Sequence, residues 1–325
     1  MERRTRSLAR PASAARAPRP ARARLQRAAA GERLTGVPPY RATALPPIDR
    51  TPKLYVAGQQ VRPDSGYSLP VLDAAGHRID EVGQGNRKDV RNAVEAAHKA
   101  AGWARATAHQ RAQVLYYLAE NLAVRAEEFC RRLASLSGDG GAAEREFALT
   151  IERIYTYAAW ADKYDEAVHH TPYRNVTLAM PEPLGVLGIV CPGGYPLLGF
   201  VSTVLPAVAM GTTVVAVPST SAPLAATDLY QVLDTSDVPG GVVNIITGQG
   251  DELARVLAAH DDVDGVWYFG SAEVSAEVER LSAGNMKRTW VDLGRGRDWT
   301  DPSAAGEEFL EHATQVKNIW VPYGE

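Results

Sequence analysis

Residues 183–196 read PLGVLGIVCPGGYP. Four apolar residues, Val186, Leu187, Ile189 and Val190, run into a Pro-Gly-Gly turn, and an apolar segment of helical length, residues 197–210, follows. A short apolar run bounded by glycine and proline predicts a strand buried on both faces. Strand, glycine turn and helix together predict the first unit of a doubly wound α/β sheet. Ligands of such sheets bind beyond the carboxyl ends of the strands, so residues 192–196 mark where any chemistry should happen.

Downstream the period stays βα. Strands are predicted at 184–191, 213–217, 242–246, 266–269 and 289–293, and helices at 197–210, 224–233, 251–259 and 272–282. Right-handed crossovers make this a Rossmann-like, mostly parallel open sheet. A last helix at 303–313 precedes a short strand from Val316 to Val321. Upstream, residues 52–71 alternate around Gly58 and predict an edge hairpin. Three helices follow as an N-terminal layer: 89–103, with Asn86 as its cap; one carrying Leu115, Leu118, Leu122 and Phe129 and ending near Gly138; and 142–161, with Phe147, Ile151, Ile154, Tyr155 and Ala158 on one face. Residues 173–180 alternate and predict an exposed or partner-facing strand.

A chain of 325 residues buries a sizeable core without staples. Its formal charge of −3 gives no case for nucleic-acid binding. The two cysteines, Cys130 and Cys191, lie far apart, and with His169 and His170 remote from both there is no metal-ligand spacing. A reducing cytoplasm is the simplest compartment. No apolar run reaches the roughly 18 residues that span a membrane. Residues 1–50 are rich in Arg, Ala and Pro and predict a disordered tail, with a transit-like peptide or an electrostatic tether as alternatives. The expected organisation is therefore a tail (1–50), a hairpin and helical layer (51–172), a sheet (173–299), and a terminal helix and strand (300–325).

Four segments resemble motifs of the aldehyde dehydrogenase superfamily. PEPLGVLGIVCPGGYP resembles the strand and turn bearing P-W-N-F-P, and DVPGGVVNIITG resembles G-x-P-P-G-V-x-N-x-x-x-G. VDGVWYFGSAE resembles V-x-x-V-x-F-T-G-S-T-E, and KRTWVDLGR resembles K-x-x-x-L-E-L-G-G. The likeness is greatest to the C-terminal, non-catalytic domain of the family's two-domain members. It implies an NAD(P)-binding fold whose chemistry runs through a cysteine thiolate, hydride transfer to the nicotinamide, and a glutamate-activated water.

The departures bear on function. The resemblance implies a G-Q-x-C loop after L-E-L-G-G; here the chain runs from Arg295 through residues 298–313 to a tail that resembles the family's C-terminal oligomerisation strand. The catalytic layer is thus expected to be missing, with its flanks joined. The asparagine that helps hold the oxyanion corresponds to Gly194, and losing one such donor typically lowers the rate by about 10²–10³. The general-base glutamate corresponds to Asp292, and the ribose-binding pair of K-P-S-E to Val217 and Thr220. Gly270 and Ser271 survive at a helix start, where free N–H groups suit a pyrophosphate, or where a turn and an N-cap alone explain them. Cys191 reads as a core residue ending a strand, with a substitute nucleophile as the alternative. Gly248-x-Gly250 lacks the third glycine of a dinucleotide loop.

These residues lead to the expectation of a pseudoenzyme that binds no NAD(P) or binds it weakly. It would assemble as a homodimer, or with a full-length aldehyde dehydrogenase, through residues 316–321. An NAD(P)-binding sensor, or half of a split NAD(P)-dependent aldehyde dehydrogenase, is the alternative.

Overall fold

The computed structural model describes residues 51–323. Residues 1–50, on which the predicted tail falls, lie outside the described residues. The described residues open with two hairpins rather than one. Strands β1 (Leu54–Val56) and β2 (Gln59–Val61) turn at Ala57 and Gly58, which have φ of 55° and 76°, the mirror-image turn that matches strand twist. Strands β3 (Ser68–Leu72) and β4 (Arg78–Gly83) pair separately, because the turn at residues 63–66 ends the first hairpin before Leu69.

Helix α1 (Arg87–Lys99) opens on the expected Asn86, whose side chain accepts from Lys88 and Asp89 N–H while Asp89 returns a bond to the cap backbone. The predicted second helix is two, α2 (Ala108–Ala123) and α3 (Ala126–Ser137). Helix α4 (Gly140–Ala161) buries Phe147, Ile154 and Ala158, but Tyr155 is exposed and rests on Tyr116 at 5.9 Å between ring centres. Strand β5 (Ala167–His169) and the long β6 (Asn175–Pro183) follow.

From there the βα rhythm holds: β7 (Val186–Val190), α5 (Pro196–Ala209), β8 (Thr213–Val217), the short α6 (Leu224–Thr227) and α7 (Tyr230–Thr235), β9 (Val243–Ile245), α8 (Gly250–Ala258), β10 (Gly265–Tyr268), α9 (Ala272–Ser282) and β11 (Arg288–Val291). The predicted helix 303–313 is broken. A 3-10 turn (Pro302–Ala305) precedes α10 (Glu308–His312), because Gly306 between them is extended, with ψ of 171°. Strand β12 (Thr314–Pro322) ends the described chain.

The main sheet has the order β11-β10-β7-β8-β9-β1-β2, its first five strands parallel and the amino-terminal hairpin antiparallel at the edge. Side chains alternate between two cores, as the period of two requires. Leu187, Ile189, Val214, Ala216 and Trp267 meet α2–α5, while Val186, Val190, Val215, Val217, Val266 and Tyr268 meet α1, α8 and α9. The fold is mixed α/β with helices on both faces of a mostly parallel sheet.

A second sheet, β12-β6-β5, carries a correction. Residues 316–321 were expected to pair with a neighbouring subunit. They pair instead with the chain's own β6, antiparallel from Thr314 opposite Pro183 to Pro322 opposite Asn175. The alternation of residues 173–180 fixes a strand, but nothing in that pattern states which chain supplies its partner.

Candidate functional site

The register aligns four strand ends. Val190 lies beside both Val217 and Tyr268, and Tyr268 lies beside Val291. The turns that follow, bearing Gly194, Thr220, Gly270 with Ser271, and Asp292, therefore share one rim of the sheet. The structure gives each of these residues a local task.

At the β7 turn Tyr195 holds a left-handed conformation (φ 53°) and starts α5 without a side-chain cap of its own. Gly199 is obligatory, since a Cβ there would lie 2.6 Å from the Pro192 side chain. Gly193 and Gly194 are open, with nothing within 4 Å of a built Cβ. Cys191 is sealed in the core, its Sγ 3.5 Å from the Thr203 hydroxyl, and burial pushes its thiol up to about 12. A thiol held neutral in an apolar site is a poor nucleophile.

At the β8 turn Val217 is wholly buried. Thr220 staples two loops: its Oγ1 accepts from Gly250 N–H at 3.0 Å and donates to Gly248 O at 3.3 Å. Ser219 Oγ reaches Gly193 O at 3.3 Å. At the β11 end Leu293 and Gly294 both have positive φ, and the Asp292 carboxylate accepts from Gly294 N–H at 3.1 Å, closing its own turn. At the β10 end Ser271 caps α9 by accepting from Val274 N–H. The Ser271 N–H is not free: it donates to Tyr268 Oη at 3.2 Å, and that phenol donates to Asp251 Oδ1 at 2.7 Å.

Three side chains that matter were missed by the sequence reading. Glu146, Thr150, Arg153 and Tyr157 fall at i, i+4, i+7 and i+11 on α4, a polar stripe, yet all are buried. Glu146 Oε1 accepts from Leu197 and Leu198 N–H at 2.9 and 3.1 Å, so it supplies the cap that α5 lacks; burial raises its pKa and those two amides oppose the rise. Arg153 donates to Ser202 Oγ and Ala304 O, each at 2.6 Å, and to Trp299 O at 3.0 Å. The third is Tyr268, whose hydroxyl stands where the quoted motif has phenylalanine. A stripe of polar residues at helical spacing was the readable signal for the first two.

Residues 297–313 form a plug where the expected catalytic layer is missing. Trp290 meets Trp267, Phe269 and Phe309 edge-on at 5.0, 5.3 and 4.9 Å, and stacks flat on His312 at 4.0 Å. Arg297 lies over the Phe309 ring at 5.0 Å and pairs with Glu308 at 3.1 Å. Phe309, Leu310 and Ala313 are wholly buried.

The chain is similar to known proteins over about three quarters of its length or more. The model of the aldehyde dehydrogenase family matches residues 61–298. Hydroxyisobutyraldehyde dehydrogenase of Mycolicibacterium austroafricanum is 34% identical over 277 residues, 84% of this chain and 54% of that protein. An NAD-dependent aldehyde dehydrogenase from Sinorhizobium meliloti is 27% identical with a TM-score of 0.71, over 75% of this chain and 50% of that one. Betaine aldehyde dehydrogenase from Staphylococcus aureus, solved in complex with NAD+, shares the fold at 24% identity and a TM-score of 0.71, again over 75% of this chain and 50% of that one. The chain spans about half the length of the relatives it matches. Motifs, sheet order and these likenesses agree: the chain belongs to the aldehyde dehydrogenase family.

Proposed function

We propose that the chain is a non-catalytic member of this family that serves as an assembly or stabilising partner, either with a second copy or with a full-length aldehyde dehydrogenase. The observation that carries the reading is the plug. Arg153 and the aromatic cluster close the core over residues 297–313, at the place where the family's nucleophile loop would begin. Neither of the chain's two cysteines is placed to replace that nucleophile: Cys191 is sealed, and burial also raises the Cys130 thiol on α3. Gly194 brings no side-chain donor to an oxyanion, and Asp292 is engaged by its own turn.

The β12-β6-β5 sheet supports the assembly half of the reading. Tyr173, Val316 and Trp320 are 67%, 63% and 60% exposed, and among the described residues no strand pairs with the outer edge of β12. An apolar open edge invites strand pairing. The alternative, an NAD(P)-binding module or half of a split enzyme, draws on Gly270 and Ser271 opening α9 at the rim.

Two measurements test the proposal. Purified protein mixed with aldehydes and NAD or NADP should show no aldehyde-dependent absorbance rise; a rise abolished by Cys191→Ala would overturn the non-catalytic reading. Light scattering should show a dimer, or a complex with a full-length aldehyde dehydrogenase, that dissociates in Trp320→Lys with circular dichroism unchanged. A wild-type monomer at high micromolar concentration that captures no aldehyde dehydrogenase would sink the assembly role.

A further inference from the structure

A dinucleotide at the rim of a doubly wound sheet sets its pyrophosphate on the N–H groups at a helix start. The starts of α8 and α9 are the two such places beyond β9 and β10, and neither fits that ligand as it stands. The Gly250 N–H of α8 is taken by Thr220 Oγ1, and the Ser271 N–H at the head of α9 by Tyr268 Oη. Asp251 and Glu252 occupy the first turn of α8, so the local charge there repels phosphate.

We propose that Tyr268 is an internal ligand, a phenolic latch that fills the anion position and straps α9 to α8 without any nucleotide. Tyr268 is buried and its phenol closes on the turn, so that a Cβ on Gly270 would come within 2.4 Å of the hydroxyl. Gly270 is therefore kept for the latch and is not free to approach a phosphate. The phenol uses both of its capacities, accepting from Ser271 N–H and donating to Asp251 Oδ1. A self-contained relay of amide, phenol and carboxylate thus stands where a bound pyrophosphate would lie.

Calorimetric titration with NAD, ADP and adenosine tests the latch in wild type, Tyr268→Phe and the double variant Asp251→Asn with Tyr268→Phe. Wild type should bind NAD in the millimolar range or weaker. Removing the hydroxyl returns one amide to the phosphates and Asp251→Asn removes a repelling charge, so NAD and ADP should both tighten by about tenfold or more. Adenosine, with no phosphate, should not change. Micromolar binding by wild type would overturn the latch, as would folded variants that bind no tighter, or an equal gain for adenosine. Tyr268→Phe keeps the ring and so preserves packing if the double variant does not fold. Failure here leaves the non-catalytic reading standing, since that rests on the cysteines and the plug.

Discussion

The rim of the sheet and the plug that follows β11 have departed from the family in opposite ways. At the rim each change is a single side chain: a glycine at 194, a valine at 217, a threonine at 220, a tyrosine at 268. The strands beneath keep their register, and the turns satisfy their own amides with hydroxyls and carboxylates. At the plug the change is cooperative. Three carbonyl or hydroxyl acceptors converge on one buried guanidinium, and five rings close in edge-to-face contacts. Single side chains at the rim can thus change at little structural cost, whereas the plug is a cooperative piece of core.

The largest effect should come from the anchor of the plug. Arg153→Met leaves the Trp299 and Ala304 carbonyls and the Ser202 hydroxyl in the core without their donor. Removing one partner of a buried charged network typically destabilises by about 3–5 kcal/mol. At roughly 2–4 °C per kcal/mol the melting temperature should fall by about 10 °C. A loss under about 2 °C, judged against the same conversion, would show that the plug holds by its rings alone and would weaken the contrast with the rim.

A second, smaller effect separates the two regions by pH. His312 lies in the plug, stacked on Trp290, and burial lowers its pKa below 6.5; Glu308 and Glu311 oppose the shift, while Arg288 and Arg297 add to it. A base whose folded pKa is depressed binds fewer protons folded than unfolded. Its contribution is therefore complete above pH 6.5 and is lost as pH falls from there through the folded value. His312→Phe keeps a ring for the stack but cannot titrate. Melting temperatures of wild type and variant should converge or cross as pH drops from 8 to 5, with wild type losing more. Parallel curves would remove His312 from the account; His260 and Glu146 also titrate with shifted pKa values, but they are common to both proteins.

Much of the rim was legible in the sequence, and little of the plug. Thr213–Val217 and Ala272–Ser282 match the predicted bounds to the residue, because glycine, proline and a serine cap punctuate them. The alignment of Val190, Val217, Tyr268 and Val291 follows from the βα rhythm alone. Arg153 was missed because a charged stripe on a helix normally means the solvated face, and its partners lie well over a hundred residues away at Trp299 and Ala304. The Tyr268 hydroxyl was hidden for a related reason. A tyrosine in a buried strand reads as core, and only the fold shows that its oxygen emerges between two helix starts.

The smallest expected effect is the sharpest test of how cheaply the rim changed. Gly194 lacks positive φ, its built Cβ meets nothing within 4 Å, and it is exposed. Nothing in the turn therefore demands glycine. Gly194→Asn should alter stability by no more than about 0.5 kcal/mol, the range of surface changes that touch no special feature. It should also produce no aldehyde oxidation, because an oxyanion donor without an attacking thiolate has no intermediate to stabilise. Thermal melts and the nicotinamide absorbance assay read the two halves separately. A melting temperature lowered by several degrees would mean that glycine is needed there for the fold, and the rim would then be as tightly built as the plug.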